Sequence, residues 1–177
     1  MSFVIYNLLM QDLQNAPIIQ FEKLSEIDLV LKSGKKTVLV GGCFDILHLG
    51  HVVFLEKAKE LGDLLVVSIE SDRFIREEKK REPFHTQKQR AYVLSALRSV
   101  DLVIEMPFLP KEERSEKYGE LVKMVSPNYI AVSENDKMQQ KKLDHAKTVG
   151  AEVKIVTKIL KSLSSSTIAK YGALLSG

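Results

Sequence analysis

Hydrophobic positions along the chain alternate between two spacings, and this alternation predicts helices and strands in turn. Phe21, Leu24, Ile27 and Leu31 fall on one helical face, and Gly34 is placed to end that helix. Short apolar runs recur downstream, and their length and lack of charge are typical of buried strands. The predicted strands cover residues 37–40, 64–69, 101–106, 129–132 and 153–156.

Helical patterns fill the intervals between these strands. Thr86 and Gln89 have the spacing of a capping box, which predicts that a helix begins there. The charged segment 71–85 lacks a clean period, and we expect it to be a mobile loop. The predicted helices cover residues 21–31, 52–61, 87–97, 111–125, 137–149 and 164–175.

The order of these elements predicts the fold class. Strands that alternate with helices are typical of α/β proteins, in which a parallel sheet carries helices on both faces. The segment 64–69 is apolar throughout, as a strand buried on both faces requires. We therefore expect a doubly wound, Rossmann-like sheet of five parallel strands. Ligands of such sheets bind at the carboxyl ends of the strands.

Composition narrows the possible partners. The net charge of +3 suits an anionic small molecule, but it lacks the basic excess of a nucleic-acid-binding protein. A single cysteine excludes an internal disulfide and a multi-cysteine zinc site, which favours the reducing cytoplasm. No apolar run approaches the roughly 18–20 residues that span a bilayer, and the N-terminus lacks the basic region of a signal peptide. We expect a cytoplasmic protein without nucleic-acid or membrane partners.

The first predicted strand-to-helix junction, "VGGCFDILHLGHVVFLEKAKELGD", carries the densest chemistry. Gly41 and Gly42 allow the backbone to approach a ligand closely. His48 and His51 lie three residues apart at the predicted helix start, where free N–H groups and the helix dipole favour phosphate. Gly50 between them leaves room for a bulky anion. The pair with its glycines favours a phosphate site over a plain capped helix.

The stretch "GGCFDILHLGH" resembles the signature of the HxGH nucleotidyltransferases, the cytidylyltransferase-like superfamily. Two further stretches are similar to this family in the same order, "EPFHTQKQRAYVLSALRSVDLVI" and "LSSSTIAK". The chain most resembles the heptose-1-phosphate adenylyltransferase domain of lipopolysaccharide core biosynthesis and glycerol-3-phosphate cytidylyltransferase. The resemblance implies a nucleotidyltransferase domain over residues 35–177, with residues 1–34 as an N-terminal extension and helix packed on the core.

The resemblance also implies a reaction and its partners. A nucleoside monophosphate passes from ATP or CTP to a small phosphorylated acceptor, a sugar or alcohol phosphate, and pyrophosphate is released. The protein supplies positioning and charge stabilisation, and no covalent intermediate is needed. Mg²⁺ is expected to be bound mainly through the triphosphate, with no dedicated protein metal site. Relatives are commonly dimers, so a homodimer is expected.

Catalytic roles follow by resemblance to the family motifs. His48 and His51 are expected to donate hydrogen bonds to the triphosphate as charge moves to the leaving group. Arg90 is expected to contact phosphate, because an anchored guanidinium fits phosphate geometry. Lys80 is taken as the phosphate clamp of the charged segment, although Lys79 and Arg81 remain alternatives.

Further residues are expected to line the substrates. Asp45 is assigned to the acceptor, with orientation of a histidine as its alternative. The serines of "LSSSTIAK" are expected to hold the β- and γ-phosphates, and helix capping is their other explanation. The residues assigned to nucleotide binding are Gly42, Cys43, Phe44, Gly50, Asp136, Ser164, Ser165 and Ser166.

Some alternatives stay open. The stretch "AVSENDK" stands where relatives often have a glycine-rich turn beside the nucleotide, so the base is not determined. An FMN or pantetheine-phosphate adenylyltransferase fits the same motifs, as does a nucleotide-binding module without turnover. A relative of class I aminoacyl-tRNA synthetases shares the HxGH motif, but the short chain and low net charge oppose it.

Overall fold

The computed structural model describes residues 15–31, 33–134 and 136–157. Its centre is one sheet of six parallel strands in the order β1-β4-β3-β2-β5-β6. The α/β, doubly wound prediction is confirmed, with six strands in place of five. The strands are β1 (Ile18–Gln20), β2 (Thr37–Gly42), β3 (Leu64–Ile69), β4 (Leu102–Glu105), β5 (Tyr129–Ser133) and β6 (Glu152–Thr157).

Helices connect these strands and cover both faces of the sheet. A 3₁₀ helix (Phe21–Ile27) runs directly into the short helix α1, and the predicted single helix is therefore divided. The predicted capping box is confirmed. The Thr86 hydroxyl accepts the backbone N–H of Gln89, and the Gln89 side-chain oxygen accepts the backbone N–H of Thr86. The α-helices are α1 (Asp28–Leu31), α2 (Leu49–Lys59), α3 (Asp72–Lys79), α4 (Gln87–Ser95), α5 (Arg114–Val125) and α6 (Gln139–Lys147).

Strand β1 was not predicted from the sequence. It has three residues, and only Ile19 faces the interior, so no alternation marks it. Its pairing with β4 adds an edge strand to the sheet. The following 3₁₀ helix buries Phe21, Leu24 and Ile27, which packs this part of the chain onto the same core.

The prediction of a loop over residues 71–85 was wrong for its first half, because Asp72–Lys79 form helix α3. The Ser71 hydroxyl accepts the Phe74 N–H at 3.2 Å and caps the helix. Ile75 is fully buried and anchors it. One buried residue leaves no periodic apolar stripe, so the pattern of the sequence did not indicate a helix.

Two apolar layers sandwich the sheet, and they define its two faces. Val38 and Val40 pack with α2 and α4 on one face, which we call the α2 face. Leu39 and Val66 pack with α5 and the 3₁₀ helix on the other, the α5 face. The chain proceeds from β2 outward to β4 and then returns to β5 beside β2, so the strand order reverses between β2 and β5. Such a switch point is where open α/β sheets bind ligands.

Among the described residues, none of the helices is long and apolar enough to cross a bilayer. The last predicted helix, over residues 164–175, lies outside the described residues.

Candidate active site

A sharply bent backbone turn follows β2. Phe44 has a left-handed backbone conformation, with φ at +46°, which is uncommon for an aromatic residue. Its ring is buried on the α2 face, and a Cβ on Gly42 would lie 3.0 Å from it. Gly42 is therefore required by the turn, which directs the chain into α2. Left-handed backbone of this kind at a non-glycine residue is concentrated at functional sites.

The two histidines meet at the start of α2. His48 is the residue before the helix, and its ring stacks on that of His51, with the centroids 3.9 Å apart. Phe44 supports the stack from 5.2 Å. The Nδ1 atoms of both rings are buried and have no hydrogen-bond partner of good geometry among the described residues. Buried polar atoms without partners are rare in proteins, and here they lie where a phosphate would be expected.

The histidines are uncharged in the free protein at neutral pH. Burial lowers the pKa of His48 below its ordinary value of 6.5. Burial also lowers the pKa of His51, to about 4, and the neighbouring His48 adds to this effect while the Ile46 carbonyl opposes it. A bound anion would favour the protonated forms, because opposite charge raises the pKa of an imidazole.

Gly50 serves the histidines directly. A Cβ at this position would lie 3.0 Å from Cε1 and 3.1 Å from Nδ1 of His48. The His48 ring therefore lies over Gly50 and occupies the space that the sequence suggested was reserved for an anion. The glycine is required by the ring's position in this structure.

Asp45 is almost fully buried and has a full set of partners. Its Oδ1 accepts the backbone N–H groups of Phe84 at 2.9 Å and His85 at 3.2 Å. Its Oδ2 forms an ion pair with Arg81. This carboxylate thus fixes the segment before α4 against the turn after β2, and both of its oxygens are engaged.

Arg90 is likewise buried, within the first turn of α4. Its guanidinium donates to the carbonyls of His85 at 3.1 Å, Cys43 at 2.5 Å and Glu70 at 2.8 Å. It also donates to Asp72 at 2.8 Å. These four bonds tie the ends of β2 and β3 to the starts of α3 and α4. The side chain is closed to solvent and does not present a free fork to phosphate.

Lys79, at the end of α3, projects its charge into the site. Its side chain is exposed. Burial raises the pKa values of Cys43 and Glu70, and the positive charge of Lys79 offsets part of that rise. Its charge also helps to lower the pKa of Asp136. Burial opposes this lowering, but the hydrogen bond and the charge of Lys142 contribute most to it. These three groups follow the ends of β2, β3 and β5, so the charge of Lys79 acts on the carboxyl edge of the sheet.

The neighbouring cations are directed elsewhere. Lys80 has a left-handed conformation that ends α3. Its charge acts on Glu78, whose pKa is lowered chiefly by Arg114. Arg81 is held by Asp45. Of the three alternatives that the sequence left open, Lys79 acts on the groups at the strand ends, whereas the charge of Lys80 acts on Glu78.

Two further assigned residues have clear surroundings. Asp136 accepts the Met138 N–H at 2.8 Å and the Lys142 ammonium at 2.7 Å, so it caps the turn before α6. Burial, with help from the Glu70 charge, raises the pKa of Cys43 to about 11. That thiol stays protonated at neutral pH and is not a nucleophile. Ser164, Ser165 and Ser166 lie outside the described residues.

Sequence reasoning missed a polar pair beside this site. Glu70 follows β3 directly, and the hydroxyl of Tyr118 on α5 donates to its carboxylate. Burial raises the pKa of both groups. A charged residue directly after a buried parallel strand was the available signal, because that position faces the ligand edge.

The same described residues do not gather as metal ligands. Within the described ranges, no group of three or more His, Cys, Asp or Glu side chains is placed to hold a metal ion. The donor groups of the described site therefore do not form a protein metal cage.

Comparison with known proteins identifies the family. A model of the family described as Cytidylyltransferase-like matches residues 39–170. The chain belongs to the cytidylyltransferase-like family. FAD synthase from Thermococcus kodakarensis is 39% identical over 142 residues, which cover 77% of this chain and 89% of that protein. Bifunctional protein HldE from a Nitratiruptor species is 41% identical over 126 residues, 68% of this chain but 26% of HldE. This cytidylyltransferase-like chain thus spans about a quarter of that relative.

Solved structures agree with this membership. The lipopolysaccharide core biosynthesis protein from Thermoplasma volcanium is 31% identical, with a TM-score of 0.57. The match covers 71% of this chain and 98% of that one. Pantoate-beta-alanine ligase from Francisella tularensis is 18% identical with a TM-score of 0.62, covering 92% of this chain and 79% of the ligase. This second likeness supports the fold alone.

Proposed function

We propose that this cytidylyltransferase-like protein transfers a nucleoside monophosphate from ATP or CTP to a small phosphorylated acceptor and releases pyrophosphate. The observation that carries the proposal is the stacked pair His48 and His51. Both rings are neutral, and each has a buried nitrogen without a described partner, at a helix N-terminus beside the switch point. Such groups are suited to stabilise a phosphate chain.

The residues suggest how the reaction proceeds. The triphosphate lies over the start of α2, where His48 and His51 donate hydrogen bonds to it. A phosphate oxygen of the acceptor attacks the α-phosphorus, while the bond to the bridging oxygen breaks and its electron pair leaves with pyrophosphate. Protonated imidazoles stabilise the charge that develops on the leaving group. Lys79 is proposed to supply a further positive charge to the triphosphate.

Other residues position these groups. Arg90 is proposed as a positioning residue, because its donors bind backbone carbonyls and Asp72. Asp45 holds the segment 81–85 against the turn after β2, and in this proposal it acts on the acceptor only through that segment. Ser164, Ser165 and Ser166 remain proposed ligands of the β- and γ-phosphates.

Mg²⁺ is proposed to enter with the triphosphate, whose oxygens would supply most of its ligands. When bound, it would screen the phosphate charge.

FMN is a second candidate acceptor, because similarity to FAD synthase extends over 89% of that relative. The similarity to HldE and to the lipopolysaccharide core biosynthesis protein favours a sugar phosphate. We also propose a cytoplasmic homodimer, with the transferase domain over residues 35–177 and residues 1–34 as its extension. Sedimentation of the purified chain would test the dimer.

The function is tested by a panel of ATP and CTP against glucose 1-phosphate, glycerol 3-phosphate, FMN and 4′-phosphopantetheine, with Mg²⁺. Pyrophosphate should be released only when one particular triphosphate is combined with one particular acceptor. Titration with each triphosphate measures binding separately from turnover. Tight triphosphate binding without pyrophosphate release from any acceptor would instead support a nucleotide-binding module. The absence of both would remove the proposal.

A further inference from the structure

On the α5 face of the sheet, at the carboxyl ends of its central strands, the backbone is exposed at Gly41, and we call the surface around this position the hollow. Gly41 belongs to β2, which has a neighbour on each side, yet its backbone is exposed. A Cβ there would lie 3.0 Å from the Ser68 hydroxyl, so the missing side chain keeps this floor open. A glycine in a strand interior often marks the close approach of a ligand.

Glu70 and Tyr118 form the wall of this hollow. The side chain of Ile69 packs on the α2 face, so the strand alternation directs Glu70 to the α5 face. There the Tyr118 hydroxyl donates to Oε1 of Glu70. In the part of the chain that the structure describes, this is the one hydrogen bond of the Glu70 side chain, which retains exposed surface. One carboxylate oxygen thus remains available to a ligand.

The chemistry of the wall selects a hydroxyl group. A carboxylate oxygen accepts a hydrogen bond from a sugar or polyol hydroxyl. Burial and the Glu70 charge raise the pKa of Tyr118 far above neutrality, so its phenol keeps the proton that it donates. The Tyr118 oxygen can in turn accept from a second hydroxyl.

The position fits the acceptor better than the nucleotide. His48 and His51, the proposed contacts of the leaving pyrophosphate, pack on the α2 face through Phe44. An in-line displacement places the attacking and leaving oxygens on opposite sides of the phosphorus. Glu70 and Tyr118 lie on the opposite face of the sheet from the histidine stack, an arrangement compatible with an acceptor on the attacking side.

We propose that Glu70 and Tyr118 recognise a hydroxyl of the acceptor and so make the protein selective for a polyol or sugar phosphate. This inference rests on the proposed function and names its acceptor class. The ribose of the triphosphate carries the same chemistry, so the experiment must separate the two sources.

The test uses Glu70→Gln and Tyr118→Phe, with Glu116→Gln as the matched control, because Glu116 is exposed on the same helix. Glucose 1-phosphate, its monodeoxy analogues and glycerol 3-phosphate serve as acceptors. The wild type should lose about tenfold or more in kcat/KM when one hydroxyl is removed, the value of one charge-assisted hydrogen bond. In Glu70→Gln and Tyr118→Phe the KM for the complete acceptor should rise, so that the complete and the deoxy acceptors react about equally well. The control should still prefer the complete acceptor.

Triphosphate titration and melting curves separate the other outcomes. The variants should bind ATP and CTP as the wild type does. Weaker triphosphate binding, together with lost discrimination between ribo- and deoxyribonucleotides, would assign the pair to the ribose and overturn the inference. A lower melting temperature with unchanged discrimination would make the pair a structural contact. If the wild type neither binds triphosphate nor releases pyrophosphate, the proposed function and this inference both fail. If Glu70→Gln is active and still discriminates between the acceptor and its deoxy analogues, only this inference fails.

Discussion

Two polar clusters flank the turn after β2, and they have opposite character. The histidine pair, His48 and His51, has buried nitrogens without described partners and lowered pKa values. The cluster of Arg90 and Asp45 is more deeply buried, but Arg90 makes four hydrogen bonds and both Asp45 oxygens are bound. The family motifs include all four residues, yet among them only the histidines have a buried nitrogen without a described partner.

This difference separates groups that await a ligand from groups that hold the site together. A satisfied buried ion is costly to disturb, because removing one partner leaves the others unpaired. An unsatisfied buried nitrogen costs stability until a ligand binds it. We therefore expect substitutions in the two clusters to affect different measurements.

The largest effect is expected for the stability of Arg90→Met. Three carbonyls and Asp72 would lose their donor, which should lower the free energy of unfolding by about 3–5 kcal/mol, as for other broken buried ion pairs. Denaturant unfolding measures this, with Arg98→Met on the exposed surface as control. A stable Arg90→Met that binds triphosphate poorly would reverse the comparison and return Arg90 to the phosphate.

The histidines should show the converse pattern. His48→Ala and His51→Ala should each lower kcat by about 100-fold or more, the scale of losing one donor to a developing anion. Their unfolding free energies should fall less than that of Arg90→Met, because the Nδ1 atoms of both rings have no described hydrogen-bond partner. Steady-state kinetics and melting curves measure both, with the exposed His85 replaced by alanine as control. Near-normal turnover in either variant would contradict the central assignment.

The pH dependence of stability should sharpen the comparison. The pKa of His51 is lowered to about 4, so between that pH and 6.5 the unfolded chain binds a proton that the folded chain does not. Stability should therefore fall as the pH is lowered through this window, by at most about 1.4 kcal/mol per pH unit for one proton. Denaturant unfolding at pH 7.5, 6 and 5 tests this, and His51→Ala should flatten the slope.

Triphosphate binding should have the matching pH dependence. A bound phosphate favours protonated histidines, so affinity should rise on acidification towards pH 6. Equal affinity at pH 8 and pH 6 would show that the rings bind phosphate without taking up a proton.

The smallest effect is expected within the charged segment. Lys79→Ala should weaken triphosphate binding about fivefold, since an exposed cation contributes on the order of 1 kcal/mol to binding an anion. Lys80→Ala is the matched control and should bind normally, because its charge acts on Glu78 instead. Titration of both variants in low and moderate salt measures this. A larger loss for Lys80 would restore the assignment suggested by the sequence.

Much of the fold could be predicted from local pattern. Five strands, the capping box at Thr86 and the α/β class follow from periods and caps, because those signals reflect local backbone geometry and burial. Strand β1 and helix α3 could not be predicted in this way, because each buries a single residue and depends on contacts with distant parts of the chain. The position of the histidines between β2 and α2 could likewise be predicted from their spacing and the flanking glycines.

The sequence by itself determined that the histidine signature lies at the carboxyl edge of the sheet and which family the motifs resemble. Only the tertiary structure decided which of the polar groups there are bound by other parts of the chain. Arg90 and Asp45 carry the charges that phosphate chemistry favours, but partners distant in sequence occupy them. The Glu70–Tyr118 pair joins residues 48 positions apart and has no local signature. Hydrogen-bond partners are set by packing between elements, so the free or satisfied state of a side chain appears only in the folded chain.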